Sequence, residues 1–193
     1  AGGTLNDVAS ALMSANPALY PAGQTDTAFV GLLYTNGLNR SGDAAGIKYF
    51  TDQLATGISR AELATRFVSS INASNNADTT TLNSRTRTIL QQLGSTVPGT
   101  ADVDAVLDAT AAQARQRAVA FDAVDAAALA ASTDAQRTVQ LTRLYVALLN
   151  RAPDSAGLNF FADALRSAAG TTIETVAQAI LNSAEGQRLL PNA

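Results

Sequence analysis

Apolar residues recur along this chain at helical spacing, and nowhere do they alternate as in a half-buried strand. Leu5, Val8, Ala9, Leu12 and Met13 stand at i, i+3, i+4, i+7 and i+8, the stripe of an amphipathic helix. Asn16-Pro17 closes it, because the residue before a proline disfavours the helical region. Thr25 or Asp26 is placed to cap a second helix through Phe29, Leu32, Leu33 and Tyr34, which ends in the stretch from Gly37 to Gly42. A third helix is predicted from Asp43 to Thr56 with Ile47, Phe50 and Leu54 on one face, and Gly57 suits a left-handed position beyond its end. Ser59-Arg60-Ala61-Glu62 has capping-box spacing ahead of a fourth helix carrying Leu63, Phe67, Val68 and Ile71.

From Asn72 to Thr81 the chain turns to Asn, Ser, Thr and Asp, which predicts a loop, with helix resuming near Leu82. A second break is predicted from Gly94 to Thr100, where Pro98-Gly99 supplies turn chemistry. The Ala-rich stretch from Asp102 to Ala131 contains no helix breaker and reads as one long helix or two. Val103, Val106, Leu107, Thr110, Ala114, Phe121, Val124 and Leu129 would line its inner face. The fold class that follows is all-α, a helical bundle.

The chain also repeats itself. Tyr34 to Leu54 aligns without gaps on Tyr145 to Leu165, with about half the positions identical. Tyr34 matches Tyr145, Asn39 matches Asn150, Arg40 matches Arg151, Asp43 matches Asp154, Gly46 matches Gly157 and Phe50 matches Phe161. Leu38, Asp52 and Leu54 likewise match Leu149, Asp163 and Leu165. These residues have a structural reading: Tyr and Leu close the first helix onto a core and Asn-Arg turns the chain. Asp then caps the next helix, and Gly lets another group approach. Phe50 and Phe161 fall on the faces of Ile47 and Leu158 and belong to the core. The organisation expected is an N-terminal helix over 1–23, a first repeat over 24–75, a helical connector over 76–131 and a second repeat over 132–193. Units of about fifty residues are marginal alone, which favours one shared core.

Charge and composition then narrow the chemistry. A net charge of -3 over 193 residues, with scattered arginines, argues against a nucleic-acid partner. With 47% hydrophobic residues the chain can bury a core, yet no apolar run reaches the roughly 18 residues of a membrane span. There is no His, Cys or Trp. The usual general base near neutral pH, the thiolate nucleophile and the soft-metal ligands are therefore missing, and most hydrolase and metalloenzyme schemes go with them. Ala1-Gly2-Gly3 is no secretory signal, although a chain whose signal had been removed would read the same way.

Asp102, Asp104 and Asp108 gather near a helix start, where the macrodipole favours carboxylates, and read as helix-end charge ahead of a calcium site. Asp43 and Asp52, like Asp154 and Asp163, lie about 13 Å apart along a helix, too far to share general acid and base work. No G-x-S-x-G elbow, S-x-x-K pair or phosphate loop is present. Arg115 and Arg117 read as solvated charge.

The run from Leu144 to Phe161, LYVALLNRAPDSAGLNFF, with Ser183-Ala184-Glu185 closing the unit, resembles the DUF4214 family. That family's pattern is L-Y-x-x-L-L-x-R-x-P-D-x-x-G-L-x-[YFW]-[WF] followed by S-x-E. The first copy, Leu33 to Ser70, departs from it with Gly42 in place of the proline and Ile71-Asn72 in place of Ala-Glu. The resemblance implies a module of secreted and surface proteins of bacteria, including surface-layer proteins and calcium-repeat proteins exported by type I secretion. It supplies no catalytic residue to carry over, so a non-enzymatic structural or interaction module is expected. By the same analogy the expected partners are further copies, other surface proteins, or lipopolysaccharide and other polysaccharides, at an extracellular or cell-surface location. No cofactor is required, calcium being the one left open. The alternatives are an intracellular scaffold, since the family is similar to part of phycobilisome linkers, and an enzyme using carboxylates on carbohydrate.

Overall fold

Helix starts in this protein coincide with short polar side chains that take up free backbone N–H groups. The computed structural model describes residues 4–74, 76–94, 97, 99, 103–107 and 133–166. Among them are α1 (Leu5–Ser14), α2 (Asp26–Leu38), α3 (Ala44–Ala55), α4 (Arg60–Ser74), α5 (Ala77–Leu93), α6 (Val103–Leu107), α7 (Asp134–Leu149) and α8 (Ser155–Arg166), and no strand. Thr4, Asn76 and Thr133 cap α1, α5 and α7 with reciprocal capping boxes, and Thr25 caps α2 by accepting from the Ala28 N–H. At α4 Ser59 accepts from the Glu62 N–H at 3.1 Å.

The loop predicted from Asn72 to Thr81 is mostly helix. α4 runs on to Ser74 and α5 begins at Ala77, not near Leu82. The polar composition misleads because Asn76 is a helix cap there, accepting from the Asp78 and Thr79 N–H groups. The hydroxyls of Thr80 and Thr81 fold back onto the carbonyls of Asn76 and Ala77, so these threonines find partners for their hydroxyls within the helix. Of the Ala-rich stretch, only 103–107 is described, as α6, with Val106 and Leu107 against the core. Thr110, Ala114, Arg115, Arg117, Phe121, Val124 and Leu129 lie outside the described residues.

One hydrophobic core takes side chains from both repeats. α2 and α7, the first helices of the two units, pack directly on each other, and α1, α4, α5, α6 and α8 surround α7. α7 is consequently buried almost all round, at Arg137, Thr138 and Val139 and from Leu141 to Leu149, and this includes the polar Thr142 and Arg143. At the crossing, a Cβ added to Gly37 would lie 3.5 Å from Ala147 Cα, so the two backbones meet with almost nothing between them. Beside that contact Asn36 Nδ2 donates to the Leu148 carbonyl at 3.0 Å. In the repeat alignment Asn36 corresponds to Ala147 and Gly37 to Leu148, so exchanging the repeats maps one contact onto the other. α2 and α7 therefore cross about a local two-fold axis running between these pairs.

Candidate functional site

The repeat motif builds the same loop twice. α2 ends at Asn39 with φ 55° and ψ 35°, and α7 ends at Asn150 with φ 52° and ψ 34°. Asparagine tolerates this left-handed conformation better than other side-chain-bearing residues, which explains its place at both turns. Four residues on, Asp43 accepts from the Gly46 N–H at 2.8 Å and Asp154 from the Gly157 N–H at 2.7 Å. That bond, followed by Asp43's own backbone N–H and then the nearby Arg40, holds the Asp43 carboxyl below the usual carboxylate range. Tyr34 and Phe50 meet edge to face with ring centroids 6.2 Å apart, and Tyr145 and Phe161 repeat the contact at 6.2 Å.

The copies differ in how tightly the glycine closes on the tyrosine. A Cβ on Gly46 would stand 2.2 Å from Tyr34 Oη, whereas one on Gly157 would stand 3.3 Å from Tyr145 Oη. The Tyr34 ring cannot slide away, because Phe50 and Phe67 flank it and Arg40 lies over its face at 5.0 Å. Gly46→Ala is therefore expected to destabilise by about 2 kcal/mol despite alanine's better helix propensity. Gly157→Ala should stay within about 1 kcal/mol of wild type. Urea denaturation of both variants checks the difference, and equal losses would show that the tyrosine contact does not set it.

Between the loops lies a polar junction that the motif does not announce. An α-helix leaves its last carbonyls without partners, and here they are met from other elements. The Leu148 carbonyl of α7 accepts from Asn36 and also from the Tyr20 hydroxyl. Arg85 of α5 donates to the Asn36 and Gly37 carbonyls at the end of α2 and, through its other Nη, to Asn150 Oδ1 at 2.5 Å. One guanidinium thus serves the carbonyl end of α2 and the cap of α7, where the helix dipoles favour positive charge. Arg40 secures the first loop to α5 with a forked pair to Asp78 at 2.8 and 2.6 Å. Arg151 is half-buried beside Tyr145 and Asp154.

Deeper on α7, Arg143 is 1% exposed and donates to Asn72 Oδ1 at 2.8 Å and Asn83 Oδ1 at 2.5 Å. Both acceptors are neutral, and among the described residues Arg143 Nε has no partner. Burial pushes this guanidinium down to about 10, which still leaves it charged at neutral pH. No motif marks Arg85, Arg143, Asn36 or Tyr20 in the sequence. Arg143 carried a usable signal, since it stands four residues after Val139 and three before Val146, on the apolar stripe itself.

At the foot of α7, Asp134 accepts from Arg137 at 2.5 Å and from Arg166 of α8 at 2.7 Å. These bonds, the Arg137 one first, lower the Asp134 pKa. A carboxyl depressed in the folded state adds stability above its unfolded value of about 4, and that stability is lost as pH falls through the folded value. Asp134→Asn should therefore flatten the acid limb of a stability-versus-pH curve below about pH 4. The effect at pH 7 should be about 1 to 2 kcal/mol: Asp134 and Arg166 are well exposed, but the buried Arg137 would lose this carboxylate. An acid limb identical to wild type would exclude Asp134 as its source.

The carboxylates weighed for chemistry are placed apart. Asp52 pairs with Lys48, Asp163 with Arg166 and Asp104 with Arg87. Asp102 and Asp108 lie outside the described residues. Among the described residues no group of three acidic side chains is arranged to hold a metal ion, and no helix is long and apolar enough to cross a membrane. What the fold and the junction define is a class of all-α repeat protein whose signature side chains cap helices and close a shared core. The chain belongs to the DUF4214 family: that family's sequence model, described as a domain of unknown function, matches residues 9–77 and 126–190, more than half the chain. No curated protein and no solved structure matches it.

Proposed function

We propose that this protein is a non-enzymatic structural and interaction module of a bacterial surface or secreted assembly, working through contacts with other copies or with surface polysaccharide. The observation that carries the reading is what the repeat residues do. Asn39 and Asn150 turn the chain, Asp43 and Asp154 cap helices, and Tyr34, Phe50, Tyr145 and Phe161 fill the core. A motif used in this way in both copies maintains a shape. Its resemblance to modules of surface-layer and exported proteins supplies the setting, and an acidic chain without cysteine is compatible with export.

The test is fractionation of the native producer with and without a calcium chelator, followed by binding of the purified chain to lipopolysaccharide vesicles. Recovery from the envelope or medium, with chelator-dependent release, is the expected result. Recovery from the cytosol alone would overturn it and put the intracellular scaffold ahead. Turnover of a glycoside panel would overturn it in favour of the carbohydrate enzyme.

A further inference from the structure

α5 is attached differently from the helices around it. Its sequence holds Thr79, Thr80, Thr81, Asn83, Ser84, Thr86 and Thr88, residues of modest helix propensity, so little of its order is intrinsic. Of its apolar side chains Leu82 and Leu90 are buried, beside Thr79 and Thr86, and Ile89 and Leu93 pack partly against the core, whereas α2 buries Phe29, Val30, Leu33, Tyr34 and Leu38. Polar bonds supply much of the rest. Asp78 holds Arg40, Arg85 reaches the ends of α2 and α7, Thr79 donates to the Ile71 carbonyl, and Asn83 links Arg143 to the Leu107 carbonyl.

Most of these bonds can be replaced by water when α5 moves off, and one group gains by the exchange. Arg143 lies beneath α5 with its charge buried and two neutral acceptors, and among the described residues its Nε has no partner. Stripping water from a guanidinium without a counter-charge is among the more unfavourable events in a protein interior, and neutral hydrogen bonds return only part of it. Docking α5 completes that burial, so the closed state carries a penalty that opening relieves.

We infer that α5 is a separately opening strap across the junction of the two repeats, with the buried guanidinium of Arg143 biasing it towards release while α2 and α7 stay packed. Opening bares the Asn36 and Gly37 carbonyls and Asn150 together, so it is a motion of the junction as a whole. This inference is independent of where the protein works.

Native-state hydrogen exchange on the full chain, read by mass spectrometry across a low-denaturant series, tests it. Amides of 77–93 should exchange at least about tenfold faster than those of 26–38 and 134–149, with weaker denaturant dependence. Arg143→Met removes the charge at similar length and should slow exchange of α5 by about tenfold relative to wild type. Asn72→Asp supplies a counter-charge without altering α5 and should slow it too, which keeps the test open if the methionine variant does not fold. Exchange of α5 in step with α2 and α7 in the wild type would overturn the inference. So would faster α5 exchange in either variant, since Arg143 would then be a clamp.

Discussion

Phe161→Ala should lower the stability of the entire chain by about 4 kcal/mol, in one transition. Phe161 is fully buried, packs edge to face on Tyr145 and Phe160, and leaves a void that α7 cannot close, because α7 is fixed against α2 on its other side. The size follows from the lost transfer free energy of the ring plus the cavity term. The single transition follows from the shared core: a defect in the second repeat removes the surface against which the first is built. Urea denaturation followed by circular dichroism, with exchange of α2 amides as a reporter from the first repeat, measures both. Survival of α2 to α4 as a separate, more stable unit would show that each repeat folds on its own.

The opposite change should come from joining the repeats at their crossing. A Cβ on Gly37 would lie 3.6 Å from Ala147 Cβ, within the range of about 3.5 to 4.5 Å seen in disulfides. Gly37→Cys with Ala147→Cys should therefore form an intrachain bond in a chain that has no other cysteine. The bond closes a loop of about 110 residues, for which chain entropy predicts more than 4 kcal/mol. The crowding of Phe67 Cε1, at 3.4 Å from the new Cβ, brings the expected gain to about 3 kcal/mol. Oxidised and reduced samples compared by thiol titration and by denaturant midpoint give the answer. Free thiols after oxidation, or only intermolecular bonds, would contradict the crossing geometry.

The two units and their internal chemistry were legible in the sequence because they depend on local rules. A left-handed turn calls for asparagine, a helix start calls for aspartate, and the tyrosine and phenylalanine keep helical spacing. Composition failed from Asn72 to Thr81, where residues typical of loops cap and back-bond a helix instead. The junction failed for a different reason. An arginine on a helix normally marks a solvated face, and whether Arg85 and Arg143 are exposed depends on which helices come to lie over them. That is settled by the pairing of α2 with α7, between residues more than a hundred positions apart, and no local pattern records it.

The local two-fold axis also gives the single chain a freedom that a pair of identical chains lacks. In a symmetric homodimer one residue type must serve on both sides of the axis, so an asparagine that caps the neighbouring helix would occur twice, as would any glycine opposite it. Here the equivalent positions have diverged: Asn36 reaches across to the end of α7, while Ala147 presents only a methyl group to Gly37. The end of α2 thus gets no cap from its twin and relies on an arginine brought in from α5. The two crossing helices are alike in construction and unequal in what each depends on: the end of α7 is met from within the first repeat, and the end of α2 from the segment between the repeats.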